Sequence, residues 1–396
     1  MQILDGPGRH VLFLNWRDTR NPEGGGSEVY VERIAEELIA HGHRSTLLCA
    51  SHDGAPREDT TAKGLRILRR GGRHTVYLWA ALLYLSGRAG LGPLAGRALG
   101  RPDLIVDVCN GLPFLSPLYA RCAVLILVHH VHREQWPVVL GSWGARIGWW
   151  IESRLAGRVY RRCRYVTVSA ATRQELGGLG VDPSRVEVIY NGTPEITQGA
   201  ALRTPHPSLL VLCRLVPHKR VEIALETVAQ LAVDFPALRL VVAGQGWWET
   251  QLRASVTQLG IHDRVQFAGF VNEAEKQRLL CSSWVALTPS LKEGWGLTIV
   301  EAGAAGTPTV AFREAGGVTE AIVAGETGLL ADDTPDFIAQ VRRLLSDDQF
   351  RHEMGKAAQE HAAHFTWATS GKRFAALVAA VTDGLAPTPS RDQRAP

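Results

Sequence analysis

The stretch Pro289-Ser290-Leu291-Lys292-Glu293-Gly294-Trp295-Gly296-Leu297-Thr298-Ile299-Val300-Glu301-Ala302 follows a short apolar run at 284–288. It turns on two glycines and opens a helix near Gly296 and Leu297. Strand, glycine turn and helix in direct succession make one unit of a parallel sheet covered by helices. The helix start offers unpaired backbone N–H groups and a positive dipole end, which together suit a phosphate. Glu293 stands before that start and Glu301 about one turn inside it, so both are placed to face one cleft. A carboxylate accepts hydrogen bonds from vicinal sugar hydroxyls. The competing reading makes Glu293 a helix-start charge and Glu301 a surface residue.

The same alternation extends outward. In the second half, strands are expected at 209–213, 238–243, 265–268 and 309–311, with helices at 221–235, 249–259 and 273–281. In the first half, apolar runs at 11–16, 46–50, 104–109, 123–128, 165–169 and 186–190 alternate with helical stretches, the first at 27–40. Between the halves, 194–207 carries three prolines and Gly199 with no period, the composition of a linker. The expectation is an α/β chain of two doubly wound, Rossmann-like domains, 1–197 and 198–366, facing across a cleft. The helical stretch 367–382, with no strand after it, is expected to complete the first domain, and 385–396 to be a disordered tail. Ligands of such sheets bind beyond the carboxyl ends of the strands.

A length of 396 residues is too great for one ordinary core, which agrees with two domains. Apolar residues are 45% and charged residues 21%, an ordinary globular balance. Residues 1–200 hold 24 Lys and Arg against 18 acids, and 201–396 hold 19 against 21. No dense basic stripe with interleaved aromatics is present, so nucleic acid is not an expected partner. No run of eighteen apolar residues occurs, and the start lacks the basic-then-apolar order of a signal peptide. A cytoplasmic protein is therefore expected, with its six scattered cysteines as buried thiols.

Three further constellations carry chemistry. In Cys213-Arg214-Leu215-Val216-Pro217-His218-Lys219-Arg220, Arg214 and Lys219 are spaced to reach one anion, Arg as a fork and Lys as a point charge. Fixed cations stabilise a diphosphate that gains charge as it departs; a solvated basic loop is the plainer alternative. Asn21-Pro22-Glu23-Gly24-Gly25-Gly26-Ser27-Glu28 is a glycine turn between the first strand and helix, where backbone can approach a phosphate. Leu127-Val128-His129-His130-Val131-His132 places three histidines directly after a strand, with no further metal ligand evident nearby. The chain has no Asp-x-Asp triplet for a divalent ion, and with Arg214 and Lys219 present no metal or other cofactor is expected.

The stretch from Glu293 to Glu301, two glutamates around an E-G-W-G turn, resembles the signature of glycosyltransferase family 4. The resemblance runs on through Gly303, Gly306-Thr307-Pro308, Gly316-Gly317, Glu320 and Gly325–Gly328, and covers roughly residues 10–380. It implies a GT-B fold, a nucleoside-diphosphate sugar donor, UDP- or GDP-linked, and retention of anomeric configuration. It assigns Glu293 to the transferred sugar, Glu301 to the ribose, and Arg214 with Lys219 to the diphosphate. Gly25 and Gly26 match the family's loop over the donor phosphate, and His129 its histidine at the reaction centre. Asn191, Gly244, Gly246, Val271, Gly294, Trp295, Gly296 and Leu297 fall on donor-side positions. Asn110, His130 and His132 fall on the acceptor side. The implied activity is transfer to an acceptor hydroxyl on a sugar, a lipid-linked intermediate or a small molecule, in envelope or exopolysaccharide glycan or secondary-metabolite synthesis. A glycan phosphorylase, a sugar-nucleotide epimerase or a non-catalytic sugar-nucleotide binder are the alternatives on the same fold.

Residues 136–164 also hold four tryptophans and six arginines, with Glu152 the one acid from 140 to 164. An Arg-rich face beside Trp suits peripheral contact with anionic lipid at the inner membrane face, and equally a core-packed helix with a solvated basic side.

Overall fold

The computed structural model describes residues 8–384 apart from 96–100, 134–135, 195 and 197–200. The expected disordered tail at 385–396 lies outside the described residues. Among the described residues the chain divides into two units: residues 8–192 joined by 367–384, and Thr193–Thr366. The boundary therefore falls five residues before the expected 198, because Thr193 already bridges Thr366 in the second unit.

In the first unit, the strands are β1 (His10–Leu14), β2 (Arg44–Cys49), β3 (Glu58–Thr60), β4 (Arg66–Arg69), β5 (Leu104–Cys109), β6 (Ala123–Val128), β7 (Arg164–Thr167) and β8 (Val186–Val188). Among the described residues they form one sheet in the order β3-β4-β2-β1-β5-β6-β7-β8. β1 and β5 are buried end to end, as strands covered on both faces must be. The sheet is not wholly parallel: β3 runs antiparallel to β4 at the edge. Neither strand has an apolar signature, since Ile67 and Leu68 of β4 are flanked by Arg66 and Arg69.

Alternation along the strands separates two helical layers. Leu12, Leu14 and Ile105 pack under helix Val76–Arg88, and Cys109, Ile126 and Val128 pack under the segment Ala156–Val159. Ile105 and Cys109 lie on one face of β5, so these helices share a layer. Phe13 points to the other face and meets Phe374 of helix Trp367–Thr382, ring centroids 6.3 Å apart. That helix packs on helix Gly26–Ala40 so closely that a Cβ at Gly371 would lie 2.3 Å from Glu37 Cβ. It is tied to the first unit by Ser370 Oγ donating to Tyr190 O at 2.7 Å.

The second unit's strands are β9 (Ser208–Leu212), β10 (Arg239–Ala243), β11 (Val265–Gly269), β12 (Val285–Thr288), β13 (Thr309–Phe312) and β14 (Gly328–Ala331). All its pairings are parallel, in the order β11-β10-β9-β12-β13-β14. Strand order reverses between β9 and β12 here, and between β1 and β5 in the first unit; ligands of doubly wound sheets sit at such reversals. The end of the expected linker is packed structure: Arg203 donates to Thr307 Oγ1 at 2.5 Å and Gly306 O at 2.6 Å, and Trp284 Nε1 donates to Thr204 O at 2.8 Å.

Candidate functional site

At the second unit's reversal, the loop after β9 and the loop after β12 meet. The β9 loop ends in a short turn, Pro217–Lys219, and Arg220 takes a left-handed φ of 47° to enter helix Val221–Leu231. Leu291 N donates to His218 O at 2.8 Å, locking the loops together. Lys219 Nζ and Ser290 Oγ both reach Glu293 Oε1, each at 2.6 Å. Burial alone raises the Glu293 carboxyl, but the Lys219 charge and these two hydrogen bonds outweigh it and hold it below its ordinary value. Glu293 is thus an ionised carboxylate fixed beside a cation.

Glycines make this geometry sterically feasible. Glu293 N donates to Ala315 O at 2.9 Å and Gly317 N to Glu293 O at 3.1 Å. A Cβ on Gly316, whose φ is 76°, would stand 2.8 Å from Glu293 O, and one on Gly317 would stand 2.3 Å from Gly294 O. Gly296 adopts φ 96° just before helix Leu297–Ala304, which only glycine does without strain. Gly244 and Gly246 let their backbone lie on the Arg214 loop: a Cβ at either would come within 2.0 Å of Cys213 O or Leu215 O. Arg214 and Lys219 both act electrostatically on the Cys213 thiol, which burial pushes up to about 12.

Glu301 is buried inside the helix, and Lys276 Nζ binds its Oε1 at 2.7 Å and Glu273 Oε2 at 2.9 Å. Burial raises the Glu301 carboxyl, and Lys276 offsets that only in part. One expected donor contact is turned inward. The Trp295 ring is buried against Phe365, so its side chain is not presented as a free contact surface. Val271 is partly buried and packs against the cluster holding Leu279 and Leu280.

At the first unit's reversal a second glutamate, Glu28, is fully buried. Its carboxylate accepts from Gly25 N at 2.7 Å, Ser27 Oγ at 2.8 Å and Asn110 Nδ2 at 3.1 Å, and pairs with Arg17 Nε at 3.0 Å. The Gly25–Gly26 turn is therefore held by Glu28, and Asn110 is part of that support. The turn's other anchor is Asp18, which takes Asn21 N at 3.1 Å and the fully buried Arg69 at 2.5 Å.

His129 follows β6, packs edge-on against Tyr30 at 5.3 Å, and has a buried Nε2 with no hydrogen-bond partner. Burial depresses its pKa to about 4, so the ring is neutral near pH 7. Asn191 Oδ1 is likewise buried without a partner. His132 is engaged elsewhere: its ring lies 3.0 Å from Glu152 Oε1, and Trp136 Nε1 donates to Glu152 Oε2 at 2.8 Å. Its ring is engaged by that buried acid, and the His130 ring lies beside it, tilted by 39° with centroids 4.2 Å apart. Among the described residues no three His, Cys, Asp or Glu side chains group as metal ligands, and no helix is long and apolar enough to cross a membrane.

Sequence reasoning passed over Lys276, Ser290, Glu28, Arg17 and the Asp18–Arg69 pair. Ser290 and Glu28 stood inside quoted motifs. Lys276 lies 25 residues from its partner and carried no local signal.

A family model described as glycosyltransferase family 4 matches residues 24–195, and one described as glycosyl transferases group 1 matches 193–361. The chain belongs to glycosyltransferase family 4. The D-inositol 3-phosphate glycosyltransferase of Corynebacterium efficiens is 31% identical over 53% of this chain and 55% of that protein. This chain spans about half the length of the first curated relatives it matches. Sucrose-phosphate synthase from Thermosynechococcus elongatus superposes with a TM-score of 0.79 at 19% identity, over 95% of this chain and 100% of that one. Anabaena HepE in complex with UDP-glucose superposes with a TM-score of 0.71 at 18% identity, over 94% and 99%. The family member described here has the GT-B fold, with two Rossmann-like units.

Proposed function

We propose that this chain is a retaining, metal-independent glycosyltransferase that moves a sugar from a nucleoside-diphosphate sugar, UDP- or GDP-linked, to an acceptor hydroxyl. The observation that carries it is the Lys219–Glu293–Ser290 cluster on its glycine bed at the β9/β12 reversal. In this reading Lys219 and Arg214 take the diphosphate, and the start of helix Leu297–Ala304 adds backbone N–H groups. As the glycosidic bond breaks, charge grows on the leaving phosphate, and preorganised cations lower the barrier at that point. Glu293, ionised and already fixed, accepts hydrogen bonds from the sugar hydroxyls. Glu301 exchanges its Lys276 contact for the ribose. No carboxylate is assigned as a covalent nucleophile: the acceptor attacks on the face the phosphate leaves, and that phosphate takes the acceptor proton.

The first unit is the acceptor side, with His129 as a neutral hydrogen-bond acceptor. The acceptor is a sugar, a lipid-linked intermediate or a small molecule of glycan or secondary-metabolite synthesis. The Trp- and Arg-rich segment 136–164 is the peripheral membrane contact that a lipid-linked acceptor would use.

A thermal-shift panel of UDP-, GDP-, ADP- and dTDP-sugars in chelator tests the donor site. Saturation at about a hundredfold excess over Kd adds about 2.7 kcal/mol. Stabilisation by one nucleotide class, lost in Arg214→Ala, is expected; no shift with any of them overturns the reading.

A further inference from the structure

Helix Val76–Arg88 buries Val76, Ala80, Leu83, Tyr84 and Gly87 on its sheet side. Its opposite side is apolar too: Leu78 is 64% exposed, Leu82 50%, Leu85 47% and Trp79 41%. These positions follow helical spacing and form one stripe. A contiguous exposed ridge of this kind marks an interaction surface. In the sequence this stretch is a run apolar on both sides, a pattern that reads as a buried segment.

What covers the ridge follows from charge. No Asp or Glu occurs from 61 to 102. The helix itself has no acid and ends in Arg88. On the same sheet face lie the segments Trp136–Trp150, Ile151–Leu155 and Ala156–Val159, which expose Trp143, Ile147 and Trp150. Arg146, Arg154, Arg158, Arg161 and Arg162 are exposed in and beside them, and the one acid there, Glu152, is buried under His132 and Trp136. One layer thus offers an apolar ridge beside a basic one. Two copies of this chain meeting through it would bring arginines together, whereas an anionic bilayer accepts both features.

We propose that the Leu78–Trp79–Leu82–Leu85 ridge seats the first unit in the interface of an anionic membrane, with the neighbouring arginines at the headgroups. This extends the basic face at 136–164 to a second helix and does not depend on the transferase reading. The test is co-sedimentation of the full chain with vesicles of phosphatidylcholine alone and of phosphatidylcholine with phosphatidylglycerol. Binding to the anionic vesicles only, weakened by salt, is expected. Leu82→Glu is expected to lower the partition coefficient about tenfold or more, and the double variant Leu78→Ser/Leu85→Ser to lower it similarly, both with an unchanged melting temperature. The proposal is overturned if wild type ignores anionic vesicles. It is equally overturned if folded Leu82→Glu binds as wild type does, or if Trp143→Ser/Trp150→Ser alone abolishes binding while the ridge variants keep it. A concentration-dependent dimer dissolved by Leu82→Glu also overturns it in favour of self-association.

Discussion

The two sheet reversals of this chain hold the same device used differently. Each places a glutamate at a glycine-rich turn at the start of a helix, Glu28 fully buried and Glu293 partly so. Glu28 is bound by donors of its own loop and by Asn110 and Arg17, so it holds the turn in shape. Glu293 takes Lys219 and Ser290 on a single oxygen, and Lys219 comes from a different loop. The first glutamate spreads its contacts over Gly25 N, Ser27, Asn110 and Arg17 and is sealed from solvent. The second gathers Lys219 and Ser290 on one oxygen and keeps a side chain 14% exposed.

The contrast can be broken most forcefully under the first turn. Asp18→Ala leaves the buried Arg69 with only the more distant Asp59 carboxylate at 3.9 Å, and about 3 kcal/mol of stability should be lost; the calorimetric transition of the first unit measures it, and a loss below about 1 kcal/mol would show that the pair does not anchor the turn. Glu293→Gln should leave the fold in place and lower kcat/KM by about a hundred- to a thousandfold. Steady-state kinetics on the donor identified by the thermal panel decides this. An unchanged kcat/KM would make Glu293 as structural as Glu28.

Acid sharpens the comparison through His129. Its folded pKa of about 4 lies below the ordinary 6.5, so the unfolded chain binds more protons between those values. Stability therefore falls as pH drops from 6.5 towards 4, by on the order of 3 kcal/mol. His129→Gln should flatten that part of the pH–stability curve. Glu293 behaves in the same direction at lower pH: its depressed pKa contributes stability above the ordinary carboxylate value that is lost as pH falls through the folded one. Glu28→Gln comes next, costing about 1–3 kcal/mol by leaving donors of the turn unsatisfied, with donor affinity on the second unit unchanged. Gly316→Ala is the smallest, about 1–2 kcal/mol from strain at φ 76°. It should lower kcat/KM more than stability, because the added Cβ displaces Glu293 itself.

Much of the fold was legible because parallel strands buried on both faces need continuous apolar runs. β5 and β6 were read to the residue, and most other strands to within two. β4 was not, because Arg66 and Arg69 interrupt it, and Arg69 is tolerated inside by pairing with Asp18, 51 residues away, and donating to Pro56 O. Helix Val76–Arg88 was not, because a helix apolar on every side has no period to detect. Glu293, Lys219 and Arg214 were legible as residue types at loop positions, whereas Lys276 was not.

By itself the sequence determined the alternation of strand and helix, the two-unit count and the family, since these rest on local periodicity and on motifs within a few residues. Tertiary structure alone decided which carboxylates are saturated, that Trp295 faces inward, that Lys276 holds Glu301, and that the helices at 76–88 and 156–159 lie on one face of the sheet. Those facts depend on which distant groups the reversal of strand order brings together, and burial and electrostatics act through space rather than along the chain.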